Sequence, residues 1–584
     1  MILTALAVVF ALRFYPWGAV LLVPLFVFLK KKRWIAIVGV VVVLLAYTSI
    51  YRSVSMDGQV FKGTVVVDSD GKGYYRGFVP VCSSDVGVLS GTFQMNWHKY
   101  HCAVPVKVNT LETPLFRVRS AMENRLGSLQ SGSLLNALVL GSPLPLRIQE
   151  QAIKTGILHV FAISGLQTTL LMGYVYRWSK NKIATMLLGL VLIIFYGFSA
   201  SVLRSVLMYG VMLSIPKGRK LGLGGVAAAG LAASCLDPLF FTRTASLLSL
   251  LGAAAVVYWG DSKWSSVKIS LTLLPASLLF FHSISLLSAF FTVLLVPVFT
   301  LLYALGILYV IMPLRLLSYL VDMVGMAILS LHELVELLPA WMLLNFSSRE
   351  VLVILVGVVL TALLRRWWLP VLTCIALLLL PAQSRVIFLD VGQGSATLVQ
   401  KGSYGLLIDT SDRAVVLRDV RWYGIRHLGL IISHDDKDHN GMQEQVMLSF
   451  HPKFMDPYKD DVISFGPIRA ETVWPPPGMV GTDNELSKVI YLPEFNGLIT
   501  GDVPAAYLPN GDYSFFTVPH HGAKLTELSL TSSVAVISVG KNAYGHPNKD
   551  TLKVLESKHM KVYRTDYCGD IIYEQGRVSC PSNR

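Results

Sequence analysis

Residues 433–441 read Ser-His-Asp-Asp-Lys-Asp-His-Asn-Gly and hold His434, Asp436, Asp438 and His439 within six positions, directly after the apolar run Leu428-Gly429-Leu430-Ile431-Ile432. A buried strand that ends in such a loop points neighbouring side chains at one centre. Imidazole together with carboxylate suits a hard-to-borderline divalent ion. Three later elements complete the set: Thr500-Gly501-Asp502, Pro519-His520-His521-Gly522 and Gly545-His546-Pro547. Each follows or adjoins a strand-like apolar run, at 497–499, 515–518 and 534–539. Two ions about 3.5–4 Å apart, bridged by one carboxylate, polarise a phosphoryl oxygen and lower the pKa of water toward neutrality. In this reading His434, Asp436, one of His520 and His521, and a bridging Asp502 hold one ion. Asp438, His439, Asp502 and His546 hold the other. The donor set fits zinc or manganese, and leaves open which of the two histidines at 520 and 521 is the ligand.

These strand ends must belong to a soluble domain, and the composition says where it begins. The chain has 584 residues, 53% of them hydrophobic, and a mean hydropathy of +0.56. Apolar runs long enough to span a bilayer recur from Met1 to about Pro381, after which charged residues and turn signals become frequent. We therefore expect a polytopic α-helical membrane protein with a soluble C-terminal domain of about 200 residues, a common domain size. The first hydrophobic run has no basic leader and no small-residue cleavage site. It is followed by Lys30-Lys31-Lys32-Arg33, so it reads as an anchor and not a cleavable signal.

The formal charge of +14 is no argument for nucleic acid by itself. From Arg385 onward there are 20 Lys and Arg against 23 Asp and Glu, so the soluble domain is near neutral. The excess sits in short loops between apolar runs: 30–33, 177–182, 217–220 and Arg365-Arg366. That is the positive-inside pattern. It places residues 51 to about 115 and the C-terminal domain on the outer face. Cys82 and Cys102 fall in the first exported segment and Cys568 and Cys580 in the last, two candidate disulfide pairs for an oxidising compartment.

The expected organisation has four parts. Residues 1–50 form membrane anchor helices. Residues 51–114 form a small OB-like β-barrel, with strands near 60–67, 74–81, 87–95 and 102–108. In that barrel Tyr74, Tyr75, Phe93, Trp97 and Tyr100 are stacking candidates for single-stranded nucleic acid, although half of them would serve as core. Residues 115–382 form the polytopic core, entered by a segment at 115–151 that lies along the membrane surface. Residues 383–584 form the soluble domain. Within the core, polar residues are costly and therefore informative. His159, Ser164 and Gly165 interrupt one apolar stretch, and Arg204 and Arg243 stand near the starts of two others. An anion path is the functional reading; snorkelling to the headgroups is the structural one.

This order of parts resembles the ComEC family of competence DNA channels, over nearly the whole chain. His159 to Leu166 is similar to that family's histidine-to-Ile-Ser-Gly-Leu signature, and Val202-Leu203-Arg204 to its arginine-bearing span. Residues 388–395 and Ile408-Asp409-Thr410 resemble its opening strands, and the four metal-type elements follow in the family's order. Three positions depart from the pattern. Gln167 stands where the family usually has histidine, Met442 replaces a second glycine after His439, and Ala523 replaces a serine after Gly522. The segment between Asp502 and His520 is also short.

The resemblance implies a C-terminal αββα metallo-β-lactamase-like domain and uptake of transforming DNA across the bacterial cytoplasmic membrane. One strand would enter while the other is hydrolysed outside by a metal-dependent nuclease, with Asp438 and His439 in the catalytic role. DNA, the lipid bilayer, an external DNA receptor and a cytoplasmic ATP-driven motor are the implied partners, and oligomerisation is compatible with the sequence. No Gly-x-x-x-x-Gly-Lys-Ser/Thr phosphate loop occurs, which agrees with an external motor. Two other readings compete: a channel whose metal domain binds DNA without cutting it, and a membrane-tethered phosphodiesterase acting on a lipid or a cell-wall polymer.

Overall fold

A computed structural model describes residues 59–580 apart from 68–71, 76–78, 83–86, 97–101, 111–113, 143, 158–164, 197–198, 216–221, 237–239, 241–243, 261–263, 286–287, 337–342, 365–368, 541 and 543. The expected anchor at 1–50 and the residues His159, Ser164, Arg243, Trp97 and Tyr100 lie outside the described residues. The chain divides into two compact units, one within residues 1–276 and 286–337, the other 277–285 with 338–584.

In the first unit, strands β1 (Val60–Val67), β2 (Lys72–Tyr75), β3 (Val79–Cys82), β4 (Gly87–Asn96) and β5 (Cys102–Thr110) close into a barrel of order β1-β2-β3-β5-β4. The single strand expected at 74–81 is two short antiparallel strands, with Tyr75 opposite Val79. Alternate residues Phe93 and Met95 point inward and are fully buried, and the Phe93 ring stacks on Phe61 at 5.8 Å. Phe93 is thus core and no platform for bases. Cys82 and Cys102 lie on β3 and β5, which pair in parallel with Val81 opposite Ala103.

The rest of the first unit is helical. Helix Pro114–Gly127 exposes Val118 and buries Leu126, but the chain from Gly132 to Leu140 is buried in the unit apart from exposed Ser133 and half-buried Asn136, with Leu134, Leu135 and Leu138 inaccessible. The expected surface segment therefore turns inward after its first helix. Ser131 is held there by Asp322, whose Oδ1 accepts from the Ser131 amide and hydroxyl at 3.0 and 2.9 Å. Helix Lys182–Phe195 starts at Asn181, whose side chain accepts from the Ile183 and Ala184 amides. It leaves Ile183, Leu187, Leu190, Val191 and Ile194 exposed along one stripe at helical spacing, as a surface facing lipid would. Among the described residues one helix, Phe290–Ile311, is long and apolar enough to cross a bilayer, with a mean hydropathy of 2.4. Helices such as Ser201–Ser214 and Ser246–Trp259 are apolar but shorter.

The second unit holds a two-stranded ladder, β6 (Ser283–Ser285) with β7 (Leu343–Asn345), and is built on two stacked seven-stranded sheets. The first has the order β12-β11-β10-β9-β8-β20-β21, from β8 (Ser384–Phe388), β9 (Thr397–Lys401), β10 (Tyr404–Ile408), β11 (His427–Ile431), β12 (Lys453–Met455), β20 (Ile571–Glu574) and β21 (Arg577–Ser579). The second runs β13 to β19 in sequence order: Val462–Phe465, Ile468–Trp474, Val489–Leu492, Gly497–Ile499, Asp512–Thr517, Thr531–Ile537 and Lys561–Arg564. Phe388, Leu406, Ile408 and Ile431 from the first sheet meet Ile490, Ile499, Phe515 and Val536 from the second in one core. Period-two alternation sends Phe516, Ala535 and Ile537 to the opposite face, where they pack with Leu555 of helix Lys549–Ser557. The parallel pairs β10–β11 and β11–β12 are joined through helices Val415–Trp422 and Gln443–Phe450. Because the inner face is filled by the other sheet, these crossovers cover the outer one. The result is an αββα sandwich.

An apolar helical arm belongs to the same unit and is bolted to the sandwich. Asn345 Nδ2 donates to the Ile425 carbonyl at 2.9 Å and Arg426 Nε donates to the Asn345 carbonyl at 3.0 Å. Arg426 also pairs with Glu350 of helix Ser348–Leu364, and the His282 ring lies 3.8 Å from that of Trp422.

Candidate metal centre

Parallel strands β10, β11, β16, β17 and β18 all end at one rim of the sandwich. Chain segments leaving that rim carry Asp409, 433–439, Asp502, His520-His521 and His546 in turn. Carboxyl ends of parallel strands are where open sheets gather ligands. The strands are pinned by the apolar core, so short loops suffice to aim the side chains.

The resulting distances are those of a donor cage. His439 Nε2 lies 3.1 Å from Asp502 Oδ1, and His434 Nε2 lies 3.4 Å from Asp436 Oδ2 and 3.9 Å from Asp502 Oδ2. His521 Nε2 lies 3.1 Å from Asp438 Oδ2 and 3.9 Å from Asp502 Oδ1, while His520 Nδ1 is 3.8 Å from Asp502 Oδ2. Two ligands about 2.1 Å from one tetrahedral ion stand about 3.4 Å apart, which matches this spacing. His434 Nε2, His439 Nε2 and Asp502 Oδ1 are buried without a hydrogen-bond partner. Buried polar atoms are rarely left unsatisfied, so three of them converging fit a cation. The two groups that close most tightly are His434, His439 and Asp502, and Asp438, His439 and His521.

This grouping differs from the sequence expectation in three ways. Asp502 reaches both groups, as a bridging carboxylate should, but His439 also stands between them. His521 sits with Asp438 and His439, while His520 faces Asp502 from the other side. His546 stands outside both groups: its ring lies 5.7 Å from that of His520, and its backbone is clamped by Asn542, which accepts from the His546 amide at 3.0 Å and donates to its carbonyl at 2.9 Å. Asp436 is half exposed beside His434, open to solvent at the rim.

Around these ligands lies a set of orienting groups that sequence reasoning missed. Asp409, fully buried at a φ of 65°, accepts from His439 Nδ1 at 2.7 Å and from the Ser433 amide and hydroxyl at 2.7 and 3.0 Å. That bond leaves His439 Nε2 as the free donor toward the cage. Ser487 Oγ accepts from the Asp502 amide at 3.0 Å and lies 3.2 Å from His434 Nδ1. Asn484 Nδ2 donates to His520 Nδ1 at 3.2 Å, and the Ser538 carbonyl takes His521 Nδ1 at 2.8 Å. His520 and His521 both hold positive φ, 48° and 54°. Two consecutive non-glycine residues there are strained and persist because the surroundings hold them. Asp409 entered the sequence analysis only within Ile408-Asp409-Thr410, as part of the family resemblance and with no site role; Asn484 and Ser487 carried no signal.

The electrostatics follow the same geometry. Burial would raise Asp502, but contact with His439 and the charges of His439, His521 and His520 outweigh it and hold the carboxyl below its ordinary range. Burial would lower His439, yet Asp409 and Asp502 hold it well above the usual imidazole value. His434 goes the other way, lowered by burial and then by His439. Asp438 is lowered mainly by its bond to His521. Asp438 and Asp502 are therefore held in the charged form.

In the helical unit, Gly165 and Arg204 are brought together. A Cβ at Gly165 would come within 2.1 Å of Arg204 Nη2 and 2.2 Å of Ser205 Oγ, so only glycine allows the approach. Arg204 is buried and donates through Nε to Ser249 Oγ at 2.7 Å. Cys568 and Cys580 are joined as a disulfide.

Fold and site define an αββα domain with a candidate metal-binding rim and an apolar helical arm. Residues 140–369 match the family model described as Competence protein. The chain is 24% identical to ComE operon protein 3 of Bacillus subtilis over 72% of its own length and 68% of that protein's. It is 24% identical to the uncharacterized protein YcaI of Escherichia coli over 66% and 63%, and 27% identical to recombination protein 2 of Haemophilus influenzae over 34% and 30%. The chain thus spans about two thirds of the length of the first two relatives and under a third of the last. Among solved structures, the metallo-β-lactamase fold protein YhfI of Bacillus subtilis is similar over 33% of this chain and 99% of its own, at 12% identity and a TM-score of 0.25. The match at 140–369 and these relatives support the resemblance to competence proteins.

Proposed function

We propose that this chain takes transforming DNA through the bacterial cytoplasmic membrane as a single strand, and that its C-terminal domain hydrolyses the other strand on the outer face. The observation that carries the hydrolytic half is the rim itself. Ligand atoms from separated stretches of sequence converge at spacings that suit ions, with buried donors left unsatisfied. Two divalent ions bound by His434, Asp436, His439, Asp438, His520, His521 and Asp502 would supply Lewis acidity at a phosphodiester and a lowered pKa for water. The chain's own residues do the rest. Asp438, fixed by His521 through Oδ2, orients the attacking water with Oδ1 and accepts its proton there as the P–O bond to the departing nucleotide breaks. Asp409 holds His439 in the tautomer whose Nε2 faces the cage, and Ser487 keeps Asp502 in place between the groups.

For the membrane half, the match at 140–369, the lipid-type stripe on helix Lys182–Phe195 and the span at 290–311 support a bundle in the bilayer. Arg204, buried beside Gly165, supplies a fixed positive charge on the strand's path. The barrel at 60–110 is an OB-like module outside, and Cys82 with Cys102 forms a second disulfide there.

The test uses the purified full chain with Mn²⁺ or Zn²⁺ and a labelled oligonucleotide, beside transformation by a deletion strain. Cutting that stops with chelator and with Asp438→Ala, together with loss of DNA import in the deletion strain, is the expected result. Normal import without the chain would remove the channel reading. Hydrolysis of a small diester but not of DNA would favour the tethered phosphodiesterase.

A further inference from the structure

The sandwich has 20 cationic side chains against 23 anionic ones from Arg385 onward, so overall charge cannot hold a polyanion at an acidic rim. Affinity must come from placed cations. Arg413 is a cation whose head group has a defined position close to the rim. It stands two residues after the buried Ser411 on the loop that follows β10, is exposed, and its side chain makes no hydrogen bond or ion pair among the described residues. Its head group nevertheless has a fixed seat. A Cβ at Gly392, which holds a φ of 77°, would fall 2.5 Å from Arg413 Nη1 and 2.6 Å from Cζ, so the guanidinium rests against the bare Cα of this glycine.

That seat leads straight to the metal rim. Gly394, two residues on, is so close to the site that a Cβ there would lie 2.7 Å from the Asp438 carbonyl and 3.4 Å from its Cβ. The Ser395 amide donates to the Asp438 carbonyl at 3.0 Å. Gly540 closes the other side: its Cβ would meet the Gln393 amide at 2.5 Å, and its own amide donates to Gln393 Oε1 at 3.3 Å. Two residues of chain reach at most about 7 Å, which puts the guanidinium on the order of 10 Å from Asp438.

We propose that Arg413 binds a backbone phosphate of the strand being cut, next to the phosphodiester held at the metal rim. This rests on the nuclease reading and adds the contact that lets the domain grip a strand. A guanidinium free of carboxylates and seated on a glycine presents its fork of N–H donors with little ordering left to do. Because such a contact is to phosphate, it contributes to every sequence alike.

The experiment measures binding of a phosphorothioate-linked single-stranded oligonucleotide to the full chain by fluorescence anisotropy across a salt series. Arg413→Gln is expected to weaken binding about three- to tenfold and to flatten the plot of log affinity against log salt by about 0.7, the share of one phosphate on a single strand. Arg413→Lys should restore the slope but not the full affinity, since it keeps the charge and loses the fork. Arg577→Gln, an exposed cation on β21, serves as the control for general charge. A slope for Arg413→Gln equal to that of the parent chain, a parent that does not bind the strand, or an equal change with Arg577→Gln would each overturn the proposal. If Arg413→Gln loses the slope but the parent chain cuts no DNA, the phosphate contact stands and the nuclease reading falls.

Discussion

His439 donates through Nδ1 to Oδ2 of Asp409 at 2.7 Å, and both side chains are shut off from solvent. The bond decides which imidazole nitrogen is left for a cation, and it joins the end of β10 to the loop after β11. Asp409→Asn should keep the shape and lose the charge, turning the ring toward the wrong tautomer. Metal affinity is expected to fall about 10–100-fold, as for other outer partners of ligating histidines. Isothermal titration of the chelated full chain with Zn²⁺ reads this without reference to activity; an unchanged dissociation constant would end the assignment.

Asp570 offers a test by pH. It is buried, accepts from the Asp390 amide at 2.8 Å and from the Tyr423 hydroxyl at 2.8 Å, and is held well above the usual carboxylate range by burial and by the charge of Asp419. A carboxyl raised on folding contributes its stability below the unfolded value of about 3.9, and loses it as pH climbs toward the folded one. Asp570→Asn stays neutral throughout. It should match the parent near pH 4 and exceed it by ~1–3 kcal/mol at alkaline pH. Pulse proteolysis in urea at both ends of the range measures the gap, and a gap that is constant or reversed contradicts the account.

Gly165→Ala places a methyl group on the Arg204 guanidinium and the Ser205 hydroxyl. The guanidinium end can swing, but Ser205 sits on helix Ala200–Ser214 and cannot move far. Overpacking of this kind costs ~1–3 kcal/mol. We expect transformation to drop while the chain still reaches the membrane in normal amount. Full transformation with Gly165→Ala would show that the close approach is dispensable.

The Cys568–Cys580 bridge closes a loop with a sequence separation of 12 around β20 and β21. A loop of that size stabilises by about 3 kcal/mol in the chain-entropy picture. Cys568→Ser/Cys580→Ser should lower the urea midpoint of the sandwich accordingly. In the parent chain taken directly from cells, both thiols should resist alkylation until reductant is added. Immediate labelling would place this domain in a reducing compartment.

Much of the site was legible because each ligand stretch directly follows or adjoins an apolar strand, and period-two burial announces where such a strand ends. His434, Asp436, Asp438, His439, Asp502, His520 and His521 do meet on one rim. Their pairing was not legible. Whether His521 or His546 joins Asp438 depends on the positive φ angles at 520–521 and on the clamp of Asn542 around His546, neither of which leaves a mark in residue spacing. Phe93 shows the same limit from the other side: an aromatic on a strand reads alike as platform or core until the barrel closes over it.

The sequence alone determined the kinds of parts: apolar helices, a β-rich insertion, and strands ending in imidazole and carboxylate. Those follow from local periodicity and side-chain chemistry, which act within a few residues. Only the tertiary structure decided which distant groups share a centre. Asp409, Ser487 and Asn484 become orienting residues, and Arg413 gains its seat on Gly392, because packing two sheets face to face brings together positions tens to hundreds of residues apart. No local preference encodes that.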